Sequence, residues 1–486
     1  MQSISSHLFE QYFASIPRYT SYPTAPHFNE SFKTSDYIEA AKRSNQTLLP
    51  RDLSIYVHIP FCHSLCSFCG CHKVICRTNH PKVDAYCAAL AKELALRAQL
   101  FDADRTVTQV HLGGGTPNFL STHQLGALLE QIAVNFHMSL SPNPEVSIEL
   151  DPRVITVQGV RALANLGFNR FSVGVQDFSN EVQVAINRVQ DERDTLAVIE
   201  AALQVGHSVN VDLITGLPHQ SVASFEHTLD KVITCGVTRL AVYSFAYLPE
   251  RIKAQRLIKQ SHLPDLDTRI RMVLMTQEKL EQAGFVHIGL DHYAKSSDSL
   301  ALAKANGTLQ RNFQGYTTHA RTDLIGLGVS AISQFNDCYA QNTTQLSGYQ
   351  TQLEDGQLPI RKGFALNAED LVRAHMIEQV MCGNTIDLSQ RVLTLTDGMS
   401  KPASIDHTLG DYLHQELVNL KRMMNDELIQ LKQDKLLINP LGGHFRRQIA
   451  AHFDAYLTPS PALCSNHVPN PSSTNSKNVI KFSSAL

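Results

Sequence analysis

The 486-residue sequence predicts an α/β fold: a partial (β/α)6 TIM-type barrel of parallel strands, with an N-terminal extension and a small, mainly helical C-terminal domain. Three observations point there. Between Leu53 and Ala294 short β-branched or aromatic runs alternate with longer stretches of helical period, the pattern of repeated βα units. Polar and glycine-rich residues gather just past the carboxyl end of each run, the edge at which parallel α/β sheets bind ligands. Beyond about residue 365 the periodicity turns helical.

Residues 1–51 precede the first strand and contain Pro17-Arg18-Tyr19-Thr20-Ser21-Tyr22-Pro23-Thr24, whose prolines ordinary loop chemistry would also explain. The expected strands are Leu53–Ile59, Val107–Leu112, Glu145–Leu150, Arg170–Val175, Val209–Ile214 and Leu240–Phe245. Between and after them the helical period predicts helices over Val83–Leu100, Thr122–Asn135, Val154–Asn165, Asp191–Val205, Ala223–Thr234 and Asp267–Ala283, several opened by a capping Ser, Thr or Asp. Phe285–Leu290 reads as an added edge strand. Further on, Leu413, Leu417, Leu420 and Met424 recur at helical spacing, Leu428–Ile438 reads as a strand pair, and a last helix reaches Phe453. Residues 458–486 are rich in Ser, Pro and Asn and are expected to be a disordered tail. The expected division is 1–51, 52–364, 365–457 and 458–486.

A net charge of −3 gives no global reason to expect nucleic-acid binding, and no apolar run approaches the ~20 residues that span a bilayer. Met1 to Pro17 lacks the cationic start and apolar core of a secretory leader. The expectation is a cytoplasmic monomer that contacts neither nucleic acid nor membrane, with its cysteines reduced.

Four of the ten cysteines fall within ten residues, as Cys62-x3-Cys66-x2-Cys69 followed by Cys71. The first three can hand three thiolates to a four-iron cluster and leave one iron without a protein ligand. Spacing alone keeps zinc open, with His63 or His72 as a fourth ligand, and also a closed cluster through Cys71. An open iron beside a glycine run such as Gly113–Gly115 suits an α-amino acid chelate, and S-adenosylmethionine offers the amine and carboxylate for one. Phe68, inside the cysteine loop, can pack on an adenine ring or simply on the barrel.

The loop after the first strand resembles that of the radical S-adenosylmethionine superfamily. Tyr56-Val57-His58-Ile59-Pro60-Phe61-Cys62 with Cys69-Gly70-Cys71 is similar to its oxygen-independent coproporphyrinogen III oxidase branch. The likeness continues through Pro17–Thr24, Gly113–Pro117, Glu149–Arg153, Gly174–Phe178, Asn187-Arg188, Asp212–Ile214, Arg311–Tyr316 and Gly328–Ser333. It implies a [4Fe-4S] cluster that passes an electron to S-adenosylmethionine, and a 5′-deoxyadenosyl radical that takes hydrogen from a substrate propionate. Loss of carbon dioxide and a second electron leaves a vinyl group, and two rounds turn coproporphyrinogen III into protoporphyrinogen IX. A reductant for the cluster and a terminal electron acceptor are implied as partners.

Carried over by position, the resemblance makes Cys62, Cys66 and Cys69 the cluster ligands and leaves Cys71 free. It sets Tyr56, Gly114, Glu149 and Ile332 against the cluster-bound S-adenosylmethionine. Phe68, Gly115, Thr116, Gln176, Arg188, Asp212, Ala246 and Gln314 would surround a second molecule of it. The substrate's four propionates call for cations, and Arg18, with Tyr19 and Tyr22, and Arg311 are the candidates. The competing readings are a haem chaperone of the related branch, a radical enzyme acting on haem, and a closed electron-transfer protein. The chaperone branch lacks the Cys-Gly-Cys continuation and the Pro17–Pro23 segment, both present here.

Overall fold

Six strand and helix pairs run from β1 (Leu53–Ile59) and α1 (Pro81–Ala98) through β2 (Thr106–Gly114), α2 (Thr122–Asn135), β3 (Glu145–Leu150) and α3 (Val157–Asn165). They continue with β4 (Arg170–Gln176), α4 (Glu192–Val205), β5 (Ser208–Thr215), α5 (Val222–Thr234), β6 (Arg239–Ser244) and α6 (Leu266–Gln282). The computed structural model describes residues 6–12, 16–78, 80–140, 144–206, 208–319, 322–335, 337–392 and 407–457. Ser121, Thr156, Asp191 and Asp265 each accept a backbone N–H of the first helical turn, and the helix expected from Val154 starts only at Val157, after the Thr156 cap.

β1 to β6 pair in parallel and in chain order, and each expected strand is recovered within about one or two residues. Their alternation explains the layering. Val110, Leu112, Val146, Ile148, Phe171, Val173, Val209, Val211, Leu240 and Val242 face outward into the main core under the helices. The other face carries Gln109, His111, Glu145, Ser147, Glu149, Arg170, Ser172, Asn210, Asp212, Arg239 and Tyr243 around an interior space that opens to solvent. A TIM-type barrel usually fills its interior with branched apolar side chains, whereas these strands alternate apolar with polar and so enclose a chamber.

The sheet is larger than the six units. It has 13 strands, with β7 (Phe285–Gly289) and β8 (His292–Lys295) added antiparallel beyond β6, and a short strand His137–Met138 beside β2. On the other side β9 (Asp323–Leu327) lies parallel to β1, followed by antiparallel β10 (Ile332–Phe335), β11 (Cys338–Asn342) and β12 (Ile360–Ala365). Among the described residues the sheet ends at β7 and β12 without closing, so the barrel is partial as expected. The four strands from β9 to β12 have no counterpart in the sequence reading. They are short, and β9 is buried on both faces, so no two-residue alternation marks it.

A second core joins the segment before the first strand to the C-terminal part of the described residues. Phe9, Tyr12, Ile16, Tyr19 and Tyr22 pack with Met376 and Val380 of α7 (Ala368–Cys382) and with Phe445 and Ile449. Thr385–Asp387, Ile429–Lys432 and Lys435–Ile438 form a three-stranded sheet, one strand more than the expected pair. The run from Leu413 to Met424 is two short helices, His414–Asn419 and Lys421–Asn425, not one. The expected tail lies outside the described residues. Among the described residues no helix is long and apolar enough to cross a membrane.

Candidate active site

The cysteine loop leaves β1 at the carboxyl rim and is pinned from both sides. Cys62 ends a two-residue strand paired with Val74–Ile75, Ser67 N–H donates to the Ile186 carbonyl at 2.9 Å, and Asn187 Nδ2 donates to the Leu65 carbonyl at 2.7 Å. Tyr86 of α1 donates its hydroxyl to the His58 carbonyl at 2.6 Å and accepts Val329 N–H at 3.1 Å, which fixes the end of β1.

Cys62, Cys66, Cys69 and Cys71 line one cavity of about 730 Å³ together with Phe68, Gly114, Gly115, Thr116, Glu149, Gln176, Arg188 and Asp212. This cavity and the interior chamber share Glu149, Ser172 and Asp212, so the rim opens into the barrel. Among the described residues no three His, Cys, Asp or Glu side chains converge as ligands of one metal ion. A four-iron cluster takes each thiolate at a different iron, so its ligands need not converge.

The surroundings of the sulfurs suit an anionic cluster. Arg153 Nη2 lies 3.8 Å and Arg188 Nη1 3.7 Å from Cys66 Sγ, and Thr116 Oγ1 donates to Cys62 Sγ at 3.4 Å. Burial pushes the Cys62 thiol up to about 11, with the Thr116 hydrogen bond working against it. A hydrogen bond from Cys71 draws the Cys69 thiol below its usual range, with burial opposing and the Lys73 ammonium assisting. Asp151 holds both arginines, with Arg153 Nη2 at 2.7 Å and Arg188 Nη1 at 3.3 Å from Oδ2. Burial pushes its carboxyl up, but Arg188 and then Arg153 outweigh that and keep it below the usual range.

The glycine run is a cradle. A Cβ on Gly115 would lie 2.6 Å from the Pro60 carbonyl oxygen and 3.0 Å from Cys62 Sγ, and Gly114 has φ +120° with a Cβ position 2.7 Å from the His58 ring. Gly114 N–H donates to Glu149 Oε2 at 3.2 Å. His58 Nε2 faces the His72 carbonyl at 3.0 Å and must donate, so its Nδ1 accepts the Tyr56 hydroxyl at 3.1 Å. Burial keeps His58 neutral, its pKa near 4. On the opposite wall Ser172 and Asn210 donate to Asp212 at 3.0 and 2.9 Å. Burial and then the Glu149 charge push Asp212 up to about 6. Arg188 Nε is buried without a partner among the described residues, a donor left for a ligand.

The remaining expected residues spread more widely. Ile332 starts β10, and its backbone packs on Gly326, which pairs with Tyr56 in the sheet. Ala246 lies outside the cysteine cavity, tied to it by Gln255 Nε2, which donates to the Ala246 carbonyl at 2.9 Å and the Phe68 carbonyl at 3.0 Å. Gln314 reaches the interior chamber, with its Nε2 buried and unpartnered among the described residues. Arg18 is ion-paired to Asp291 and sits 5.5 Å over the Tyr243 ring at the chamber wall. Tyr19 donates to Asp454 at 3.0 Å, the Tyr22 hydroxyl accepts Ala455 N–H at 3.0 Å, and Arg311 Nη1 donates to the Arg18 and Tyr19 carbonyls. Arg153 and Asp151 were not among the expected site residues; the Asp-x-Arg pair just past β3 is the signal that would have found them.

Fold and site together define a radical S-adenosylmethionine protein with a [4Fe-4S] cluster, and residues 56–232 match the Radical SAM superfamily. The chain is 42% identical over 455 residues to the oxygen-independent coproporphyrinogen III oxidase of Synechocystis sp., covering 93% of this chain and 95% of that protein. It is 41% identical over 451 residues to the Escherichia coli protein of the same name, with the same coverage. The solved structure of coproporphyrinogen III oxidase from Escherichia coli, described as a radical SAM enzyme, matches with a TM-score of 0.84 at 40% identity, covering 91% of this chain and 100% of that one. The chain belongs to the family of oxygen-independent coproporphyrinogen III oxidases, and the haem-chaperone alternative falls away.

Proposed function

We propose that this chain carries out the oxygen-independent oxidative decarboxylation of coproporphyrinogen III to protoporphyrinogen IX, in porphyrin and haem biosynthesis. The observation that carries it is three cysteines at a rim walled by arginines and glycines and opening into a polar chamber, in a chain matching these oxidases along 93% of its length. When bound, the cluster and S-adenosylmethionine supply the one-electron reduction and the hydrogen-abstracting radical.

The chain's own residues bind, orient and exclude water. Cys62, Cys66 and Cys69 ligate, and Cys71 stays free. Arg153 and Arg188 offset the negative charge on the thiolates, while Thr116 steadies Cys62. Gly114 and Gly115 let a ligand approach the backbone; Glu149 accepts an ammonium on one side, with Tyr56 and Ile332 beside it. Asp212 and Arg188, with Gln176, Phe68, Ala246 and Gln314, offer a carboxylate and a guanidinium for a second S-adenosylmethionine on the other side. Arg18, presented by the N-terminal segment that Tyr19, Tyr22 and Arg311 fasten, reaches the chamber wall for the substrate. A separate one-electron reductant and a terminal electron acceptor complete the cycle, and the working form is a cytoplasmic monomer.

The test is anaerobic. The reconstituted protein, given S-adenosylmethionine, a reductant and coproporphyrinogen III, is expected to yield protoporphyrinogen IX, carbon dioxide and 5′-deoxyadenosine. Haem binding with none of these products would refute the proposal.

A further inference from the structure

Most arginines that line a cavity are already engaged. Arg153 and Arg188 hold Asp151, Arg170 holds Glu145, Arg239 holds Asp298, and Arg311 caps two backbone carbonyls. Arg269, in the first turn of α6, differs: its guanidinium has no ion pair or hydrogen bond among the described residues, and burial alone holds its pKa below the usual range with no anion to counter it. It lines an open pocket of about 790 Å³ at the same carboxyl rim, between Gly216 after β5 and Phe245–Leu248 after β6. Gly216 has φ +83°, and a Cβ there would lie 3.3 Å from Arg269 Nε, so the bare backbone makes room for the side chain. Phe245, Tyr247, Leu263 and Pro264 form the apolar walls, and Gln255 ties this pocket to the cysteine loop through Ala246 and Phe68.

A half-buried cation without a counter-charge is costly unless a ligand brings one. A guanidinium matches a carboxylate with two parallel hydrogen bonds, and the apolar walls select a carboxylate carried on an apolar ring or chain. We propose that Arg269 binds a propionate of the substrate ring that is held away from the one being decarboxylated. This rests on the coproporphyrinogen reading above. The amino-acid carboxylate of S-adenosylmethionine is the other source of the same chemistry. It carries an adjacent ammonium, and no Asp or Glu is among the described residues lining the pocket to receive that charge.

Arg269→Gln and Arg269→Lys in the reconstituted holoenzyme test the assignment. The readouts are the affinity for coproporphyrin III and for its tetramethyl ester by fluorescence, the affinity for S-adenosylmethionine by equilibrium dialysis, and KM and kcat for coproporphyrinogen III. Arg269→Gln is expected to weaken the free acid about tenfold or more, spare the ester, and raise KM by more than it lowers kcat; Arg269→Lys restores part of the loss. Unchanged free-acid affinity overturns the assignment, and so does a loss confined to S-adenosylmethionine. Wild-type turnover separates the two levels. A wild type that forms no protoporphyrinogen IX refutes the proposed function itself, whereas an active wild type matched by Arg269→Gln refutes only the propionate contact.

Discussion

Arg188 Nη1 lies 3.7 Å from the sulfur of Cys66 and 3.3 Å from Asp151 Oδ2, so one guanidinium links that sulfur, a proposed cluster ligand, to a buried carboxylate. Its charge favours the form of the cluster with the added electron. Replacing it with a neutral amide is expected to lower the midpoint potential of the reconstituted cluster and, as outer-shell partners of metal ligands typically do, to reduce activity ~10–100-fold. Redox titration of Arg188→Gln followed by electron paramagnetic resonance reads the shift; a potential equal to wild type would mean that Arg153 alone sets the field.

Cys66 and Cys71 separate the open cluster from the closed one. Cys66 is buried against two arginines, whereas Cys71 is exposed and hydrogen-bonded to Cys69. Cys66→Ser is expected to lose most of the iron–sulfur absorbance after reconstitution. Cys71→Ser should keep the iron, with four iron and four sulfide per chain by chemical analysis; equal loss in the two variants makes Cys71 a ligand.

The barrel was legible in the sequence because its strands obey local rules. Glu145–Leu150 and Arg170–Val175 alternate polar with apolar residues, and Ser121 and Asp191 announce the helices that follow. The rim positions followed from the ends of those strands. β9 to β12 were not legible, since β9 is buried on both faces and its place beside β1 is set by pairing across more than 250 residues. Nor could the sequence reveal that Tyr19 and Tyr22 turn their hydroxyls to Asp454 and Ala455, because the second core forms only when Phe9 to Tyr22 meet residues more than 300 positions further on.

Glu93 is a buried anchor with a predictable cost of removal. Its carboxylate accepts Arg97 Nε and Asn342 Nδ2 at 2.8 Å, and Gly328 N–H and the Tyr349 hydroxyl at 2.7 Å. In Glu93→Gln the amide nitrogen would face a donor, and Arg97, itself fully buried, would lose its counter-charge. The expected loss is about 3–5 kcal/mol of stability, measured by urea denaturation. Because Gly328 and Val329 form the loop that holds the end of β1 through Tyr86, cluster retention should fall with it.

Asp212 gives the site a pH dependence whose sign follows from its surroundings. Burial, then the Glu149 charge, raise its pKa from 3.8 to about 6, against hydrogen bonds from Asn210 and Ser172 and the charge of Arg188. A raised carboxyl binds its proton more tightly in the folded chain, so its contribution to stability is greatest below 3.8 and is lost as pH rises through 6. Ligand binding runs the other way, because only the carboxylate formed above that pH can hold an ammonium. S-adenosylmethionine bound against Asp212 should therefore weaken as pH falls below about 6, approaching tenfold per unit where Asp212 is mostly protonated, since one proton must leave for each ligand bound. In Asp212→Asn this component of the slope should vanish while the weaker binding at pH 7 remains. Equilibrium dialysis between pH 5 and 8 measures both, and a slope that survives the substitution assigns the proton to another group.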